Sequence, residues 1–445
     1  MKTGYSKICI TPPNGTVICG YYEKRYTKGV LDDIYASAVA FDDGKKKALI
    51  LTAELCLLST AQSDKVRKSI ADASGLDIDS ILVNCSHTHT GPAIDVDLDD
   101  VPTNSEYDTT IYELLLKVSL DALRDMRESS FYVGSGKASD ISFPRRFRMK
   151  DGKVQTNPGV ENPNILHPLG EANDTVKYLK IERDGARDIV IVCFGTHADT
   201  VGGELISGDW PRFVCKTVEA VFDNVDCVFI TGVQGDVNHI NTAPTPSERR
   251  GLDYDSFDNV PRGYEHAKYM GRRVAAAVIG GLDKAAPIAC ESIDYSSRKI
   301  WIPSNMENDR LDEARRIVKL HAEGRDSELP YEKMELTTVV AEATRICKLE
   351  NGPTEFDFVL SVLKLGDFVI AGLPGECFVE IGKRIEANYG KDSIMVCCLT
   401  NGGDGYFPTS TAYDEGGYEA RSSMLKKGVD NILVDEMTEL IGELS

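Results

Sequence analysis

The sequence predicts an α/β fold, with mixed β-sheets flanked by helices. Apolar runs of strand length alternate with amphipathic helical stretches along most of the chain, the strand–helix–strand grammar of α/β domains. At 445 residues the chain can bury a large core. No internal repeat and no low-complexity linker divides it, so we read residues 1–445 as a single domain. Two stretches read as insertions: 95–108, acidic and turn-rich, and 306–350, with two helix-like segments dense in charge.

The elements follow in order. Residues 8–10 are strand-like and stop at the Pro12-Pro13-Asn14-Gly15 turn. An apolar run at 36–41, a hairpin-like Asp42-Asp43-Gly44 and a strongly apolar strand at 47–53 come next. Residues 62–74 predict a helix with Val66, Ile70 and Ala73 on one side, ended by Gly75. A short strand at 81–83 runs toward the Gly91-Pro92 turn. Downstream we place strands at 189–194, 227–231, 356–365 and 368–371, and helices at 213–223, 264–279 and 425–444.

Composition excludes some partners. A net charge of -20 argues against nucleic acid, which requires a basic face, and against adhesion to anionic membranes. No apolar run is long enough to insert into a bilayer. Residues 1–7 lead straight into a strand without a signal-peptide pattern. The 12 cysteines are scattered singly apart from Cys397-Cys398, and Cys56, Cys193, Cys227 and Cys290 sit in apolar runs. They read as free thiols, and the expected setting is cytoplasmic.

The most informative stretch is Ser86-His87-Thr88-His89-Thr90-Gly91-Pro92, which holds two of the seven histidines. In an extended segment residues i and i+2 point the same way, so His87 and His89 can share one cavity. On these residues alone the pair either ligates a metal or simply hydrogen-bonds within a turn. Phe194-Gly195-Thr196-His197 repeats the design, an apolar strand ending in a turn that presents a histidine. Pro374-Gly375-Glu376 places a carboxylate directly after a strand end.

Together these motifs resemble the neutral ceramidases, zinc-dependent amidases of sphingolipids, whose signature is Thr-His-Thr-His-Ser-Gly-Pro. The resemblance runs from Thr11-Pro12-Pro13 to Gly417-Tyr418-Glu419 in family order and covers the catalytic domain. The family's C-terminal immunoglobulin-like domain finds no counterpart after the tyrosine loop. By resemblance His87, His197, Glu376 and Tyr413 are the Zn2+ ligands, with Tyr418 as the alternative tyrosine. Alanine at 198 replaces the family's usual proline. His89 and Tyr413 fall in catalytic positions, and Arg145 and Arg146 fall where the family places a pocket arginine. Tyr406 and Tyr418 read as pocket walls in a glycine-rich loop. Asp209, in Ser207-Gly208-Asp209-Trp210-Pro211, reads as the cap of the helix that follows.

One departure matters. Thr231-Gly232-Val233-Gln234-Gly235-Asp236-Val237-Asn238 resembles the family's Ser-Asn-Val-Gly-Asp-Val-Ser-Pro stretch when aligned on Gly235-Asp236-Val237, so Gly232 stands where a serine is assigned as catalytic. Its amide is then a candidate donor to an anionic intermediate. His239 follows the same turn and is a marginal candidate. His167, His266 and His321 read as surface or packing residues. The implied activity is hydrolysis of an amide C–N bond of a small N-acyl substrate through metal-activated water, with membrane ceramide disfavoured. The alternatives are an esterase or lactonase, and a non-catalytic zinc-containing binding protein on the same scaffold.

Overall fold

The computed structural model describes residues 1–21, 24–95, 105–245, 253–254, 261–306, 309–390 and 392–444. Two sheets lie face to face. The larger has nine strands. Eight follow the order Val225–Thr231, Asp188–Phe194, Thr175–Arg183, Arg127–Lys137, Lys2–Cys9, Tyr35–Asp42, Lys47–Ala53 and Ile81–Cys85. Ala286–Ile288 adds onto Arg127–Lys137. The smaller sheet has four strands: Ile293–Pro303, Glu355–Leu365, Phe368–Gly372 and Ile394–Cys397.

The two-residue period of the strands explains the layering. Val39, Phe41, Ile50, Leu82, Ile189 and Ile191 face the inter-sheet core, where they meet Leu363, Phe368, Ile370 and Met395 of the smaller sheet. Their neighbours Ala38, Ala40, Leu49, Leu51, Ile81 and Val83 face the other way. There they pack under the helices Thr60–Ser74 and Ser105–Arg124 through Val66, Ile70, Ile111, Leu115 and Val118. Helices Asp209–Val221 and Tyr264–Ile279 cover the far end of the large sheet. Val379–Tyr389 and Val429–Gly442 cover the smaller one. Strands buried on both faces read as continuous apolar runs, which is why 47–53 and 189–194 were legible.

Several predicted elements keep their bounds closely, among them Lys47–Ala53 and Tyr264–Ile279. The first long helix starts at Thr60, because Ser59 and Gln62 form a reciprocal capping box, and Gly75 ends it at φ 77°. The two charge-dense segments are helices, Leu311–Ala322 and Lys333–Leu349, joined by their own apolar core of Ile317, Leu320, Val339 and Ile346. Of the acidic stretch 95–108, residues 96–104 lie outside the described residues, and Ser105 opens a helix. Strands Arg127–Lys137, Thr175–Arg183 and Ile293–Pro303 are absent from the sequence reading. Charged and polar residues scattered through all three, and two glycines in Arg127–Lys137, blur the alternation that would mark them.

Three parallel pairs direct strand ends to one place: Lys47–Ala53 with Ile81–Cys85, Asp188–Phe194 with Val225–Thr231, and Phe368–Gly372 with Ile394–Cys397. The buried Asn84 side chain staples these ends. Its Nδ2 donates to Cys398 O at 2.7 Å and to Thr400 Oγ1 at 3.0 Å, while its Oδ1 accepts from Thr231 N at 3.0 Å. Asn84→Ala leaves Thr231 N–H buried without this partner and takes from Cys398 C=O one of its two side-chain donors, the other being the Thr400 hydroxyl at 3.1 Å. We expect a loss on the order of 3 kcal/mol in chemical denaturation, against under ~0.5 kcal/mol for an exposed substitution such as Lys68→Ala.

Candidate metal centre

The histidine loop is not extended where it matters. The strand ends at Cys85, and His87 takes φ 68°, a left-handed conformation that a side chain other than glycine adopts at a cost. Its amide donates to Leu55 O at 2.9 Å, and its Nδ1 is held 2.9 Å from Cys56 O. His89 N donates to Ala198 O at 3.0 Å. The rings nevertheless meet, with 3.3 Å between their Nε2 atoms. His87 and His89 therefore share a cavity because the chain turns, not because a strand pleat aligns them.

His197 follows Asp188–Phe194. Its carbonyl accepts from Trp210 Nε1 at 3.0 Å, and its Nδ1 faces Gln234 O at 3.1 Å. Glu376 opens a short strand, Glu376–Cys377, that pairs in parallel with Tyr406–Phe407. Gly235 brings the neighbouring loop against it: Gly235 N donates to Cys377 O at 2.7 Å, and a Cβ at Gly235 would lie 2.3 Å from Glu376 O.

Glu376 Oε2 stands 3.3 Å from His87 Nε2 and 2.9 Å from His197 Nε2, all buried. Both Nδ1 atoms face carbonyls, which fixes the proton there and turns the Nε2 lone pairs toward the carboxylate. Lone pairs so gathered repel unless positive charge joins them. These three residues form a group that could hold a metal ion, and their chemistry fits one. The chain supplies partial substitutes. Arg145 Nη1 reaches His197 Nε2 at 3.0 Å. Burial opposes charge on His87, yet the Glu376 carboxylate outweighs it and raises the pKa of the ring. Burial would likewise raise the Glu376 pKa, but His87 and His197 pull it well below the usual carboxylate range. Burial and then Arg145 lower the His197 pKa. Burial and then His87 hold His89 well below its ordinary value, and its buried Nδ1 has no hydrogen-bond partner among the described residues.

The remaining candidates separate. Arg145 enters the cluster, with Nε 2.6 Å from Glu419 Oε1 and Nη2 donating to Gly235 O at 2.7 Å. Arg146 turns away, to Glu415 Oε2 at 3.1 Å and Gly416 O at 2.8 Å. Tyr413 is not brought to the cluster: its hydroxyl donates to Leu425 O at 2.7 Å and Ser423 Oγ at 3.0 Å beside the core of the smaller sheet. Tyr406 is there instead. Its ring stacks on His197 at 6.5 Å and lies under the Arg145 guanidinium at 5.2 Å, and Tyr418 meets it edge-on at 5.6 Å. Burial first, then Glu376, raises the Tyr406 pKa well above its ordinary value. Asp209 is the first residue of its helix, at φ 56°, with Gly208 at the N-cap position; its carboxylate still satisfies one amide of that first turn, accepting from Trp210 N at 2.5 Å, and also from Val201 N at 2.7 Å. Glu419, the buried counter-ion of Arg145, was missed. Its signal was the last residue of Gly417-Tyr418-Glu419, read only for its tyrosine.

Gly232 is no oxyanion donor, because its N–H already donates to Phe194 O at 3.0 Å. The adjacent Thr231 hydroxyl is equally committed, to Cys85 O at 2.7 Å. A Cβ at Gly232 would press on Gly195 N and Phe194 C, both at 2.9 Å. Gly232→Ser should therefore cost about 1–3 kcal/mol in thermal or urea unfolding without raising any hydrolytic rate.

No family model matches the sequence, and no curated protein matches it. Solved structures do. A crystal structure of neutral ceramidase from Pseudomonas aeruginosa superposes with a TM-score of 0.72 at 15% identity, over 100% of this chain and 74% of that one. A structure described as ceramidase complexed with C2 gives 0.73 at 14% identity, over 100% and 75%. Across its whole length this chain has the neutral ceramidase fold, mixed sheets with flanking helices and, among the described residues, no closed barrel.

Proposed function

We propose that this chain is a metal-dependent hydrolase of the amide C–N bond of a small N-acyl compound. One observation carries the reading: the buried His87–His197–Glu376 trio, with both Nδ1 atoms tied to carbonyls, at the strand ends of a neutral ceramidase fold. Two imidazoles and a carboxylate suit Zn2+. Tyr406 is the fourth donor in this proposal, since its strand pairs with that of Glu376, and Tyr413 leaves the ligand set. When bound, such an ion polarises an amide carbonyl and acidifies water for attack.

The chain's own residues do the rest. His89, neutral and buried beside His87, takes or returns a proton at its ring nitrogens. Arg145, backed by Glu419, binds an oxygen-rich or carboxylate group of the substrate. Burial of the trio excludes bulk water and strengthens these charges. Arg146 orders the loop that carries Tyr418 and Glu419 rather than touching substrate. Ester or lactone cleavage is adjacent chemistry. Glycine at 232, without a hydroxyl, favours a second reading, a zinc-containing binding protein without turnover.

Elemental analysis tests the centre. We expect about one zinc per chain, lost in His197→Ala and in Glu376→Ala. Full occupancy in both variants would reject the ligand set. Tyr406→Phe should weaken zinc affinity at least ~10-fold while Tyr413→Phe leaves it unchanged, and the reverse pattern would restore Tyr413 as ligand. His89→Ala should keep the zinc and slow hydrolysis of N-acyl amines by about 10²–10⁴. Zinc-loaded wild type without turnover on any N-acyl substrate would select the binding protein.

A further inference from the structure

His239 lies outside the trio, and none of the roles above uses it. It follows the short strand Val237–Asn238, and its Nδ1 sits 3.0 Å from Asp199 Oδ1. Asp199 is two residues beyond His197 and is itself fixed. Its carbonyl accepts from Arg262 Nη1 at 2.7 Å and from the Tyr21 hydroxyl at 3.3 Å, and its Oδ2 lies 3.7 Å from Arg262 Nη1.

A carboxylate so held accepts a hydrogen bond, so His239 donates from Nδ1, and in that tautomer the ring presents a lone pair at Nε2. That nitrogen is buried and has no hydrogen-bond partner among the described residues. The nearest ring, His266 at 5.5 Å, satisfies nothing, since both of its own nitrogens are buried and unpartnered too. A buried acceptor with no donor is unfavourable, and native structures keep few of them. Tyr21 is 39% exposed and rests edge-on against His89, ring centres 5.1 Å apart. Asp199 thus joins the solvent-side wall at Tyr21, the ring of His89 and the lone pair of His239.

We propose that the Asp199–His239 pair sets substrate specificity, with His239 Nε2 accepting a hydrogen bond from a hydroxyl or ammonium group of the substrate near the scissile amide. The inference rests on the trio being the substrate site. Asp199 holds the tautomer, and Arg262 and Tyr21 hold Asp199. An apolar group in the same place would leave the lone pair buried and unsatisfied, so discrimination comes from the group that fails to donate.

The test compares three amides of similar size: N-acetylethanolamine, N-acetylethylenediamine and N-acetylpropylamine. Dissociation constants are read by NMR titration of the purified protein with zinc present, for wild type, His239→Phe and His239→Gln. Wild type should bind at least one of the two donor-bearing amides about tenfold more tightly than the propylamide. Phenylalanine, which keeps the ring but offers no acceptor, should erase that preference, and glutamine, which restores an acceptor, should return part of it. Thermal melting confirms that each variant is folded. Equal affinities in wild type, a preference that survives in His239→Phe, or no binding of any of the three would overturn the proposal. Whichever donor wins identifies the group recognised. A preference that behaves as expected while none of the three is hydrolysed would reject the amidase and leave His239 as the recognition element.

Discussion

The structure turns on a single buried amide. Asn84 has three side-chain hydrogen bonds that reach two other segments: Thr231 at the end of one strand, and Cys398 and Thr400 just beyond another. Its own strand leads within three residues to His87. Strand ends of two facing sheets are thereby locked in register by a group that cannot slide, since an unsatisfied amide in that interior is costly. Asn401 repeats the device one step away, its Oδ1 accepting from Val83 N at 2.8 Å and its Nδ2 donating to Ser361 Oγ at 2.7 Å. Loops that follow such rigid ends can hold strained conformations, and His87, Leu399 and Asn401 all have positive φ here.

Rigidity of this kind lets the chain gather charges that would otherwise move apart. Glu376, Glu419 and Asp236 are buried within a small region, and so are Arg145 and Arg146. Asp236 answers Val379 N at 2.8 Å, and burial pushes its pKa up to about 6. Glu419 takes Arg145 on one oxygen and the Thr156 hydroxyl, at 2.8 Å, on the other. Around the trio, then, ion pairs and backbone dipoles rather than solvent set the protonation of each group, the condition under which a polar site is pre-organised.

Much of this was legible in the sequence, for reasons that differ residue by residue. Strands buried on both faces announce themselves by composition alone, and histidines or a carboxylate at their ends stand out against a chain with seven histidines. The tyrosine was harder. Tyr406 and Tyr413 both lie in a glycine-rich segment, and only the pairing of Tyr406–Phe407 with Glu376–Cys377 separates them, a contact with no local signature. His239 was visible as a residue but not as half of a pair, because Asp199 lies forty positions away in sequence. The half-polar strands failed for the opposite reason: Arg127–Lys137 has three neighbours in the sheet, yet its own sequence reads as surface.

His87 and His197 belong to loops that follow separate strands, Glu376 and Tyr406 open two short paired strands, and these residues are spread from 87 to 406 along the chain. No short peptide from this chain contains the trio, unlike a zinc finger, whose ligands sit within one small unit. A ribosome must make the segment around Glu376 before the first histidine loop has its partner. Until then His87 and His89 are an incomplete pair of imidazole donors without the carboxylate that joins them in the fold. Maturation of the centre therefore belongs to the last, long-range stage of folding, the slow kind set by topology rather than by local propensity. A lesion anywhere that delays closure of the two sheets would register first as an immature centre, before any loss of secondary structure.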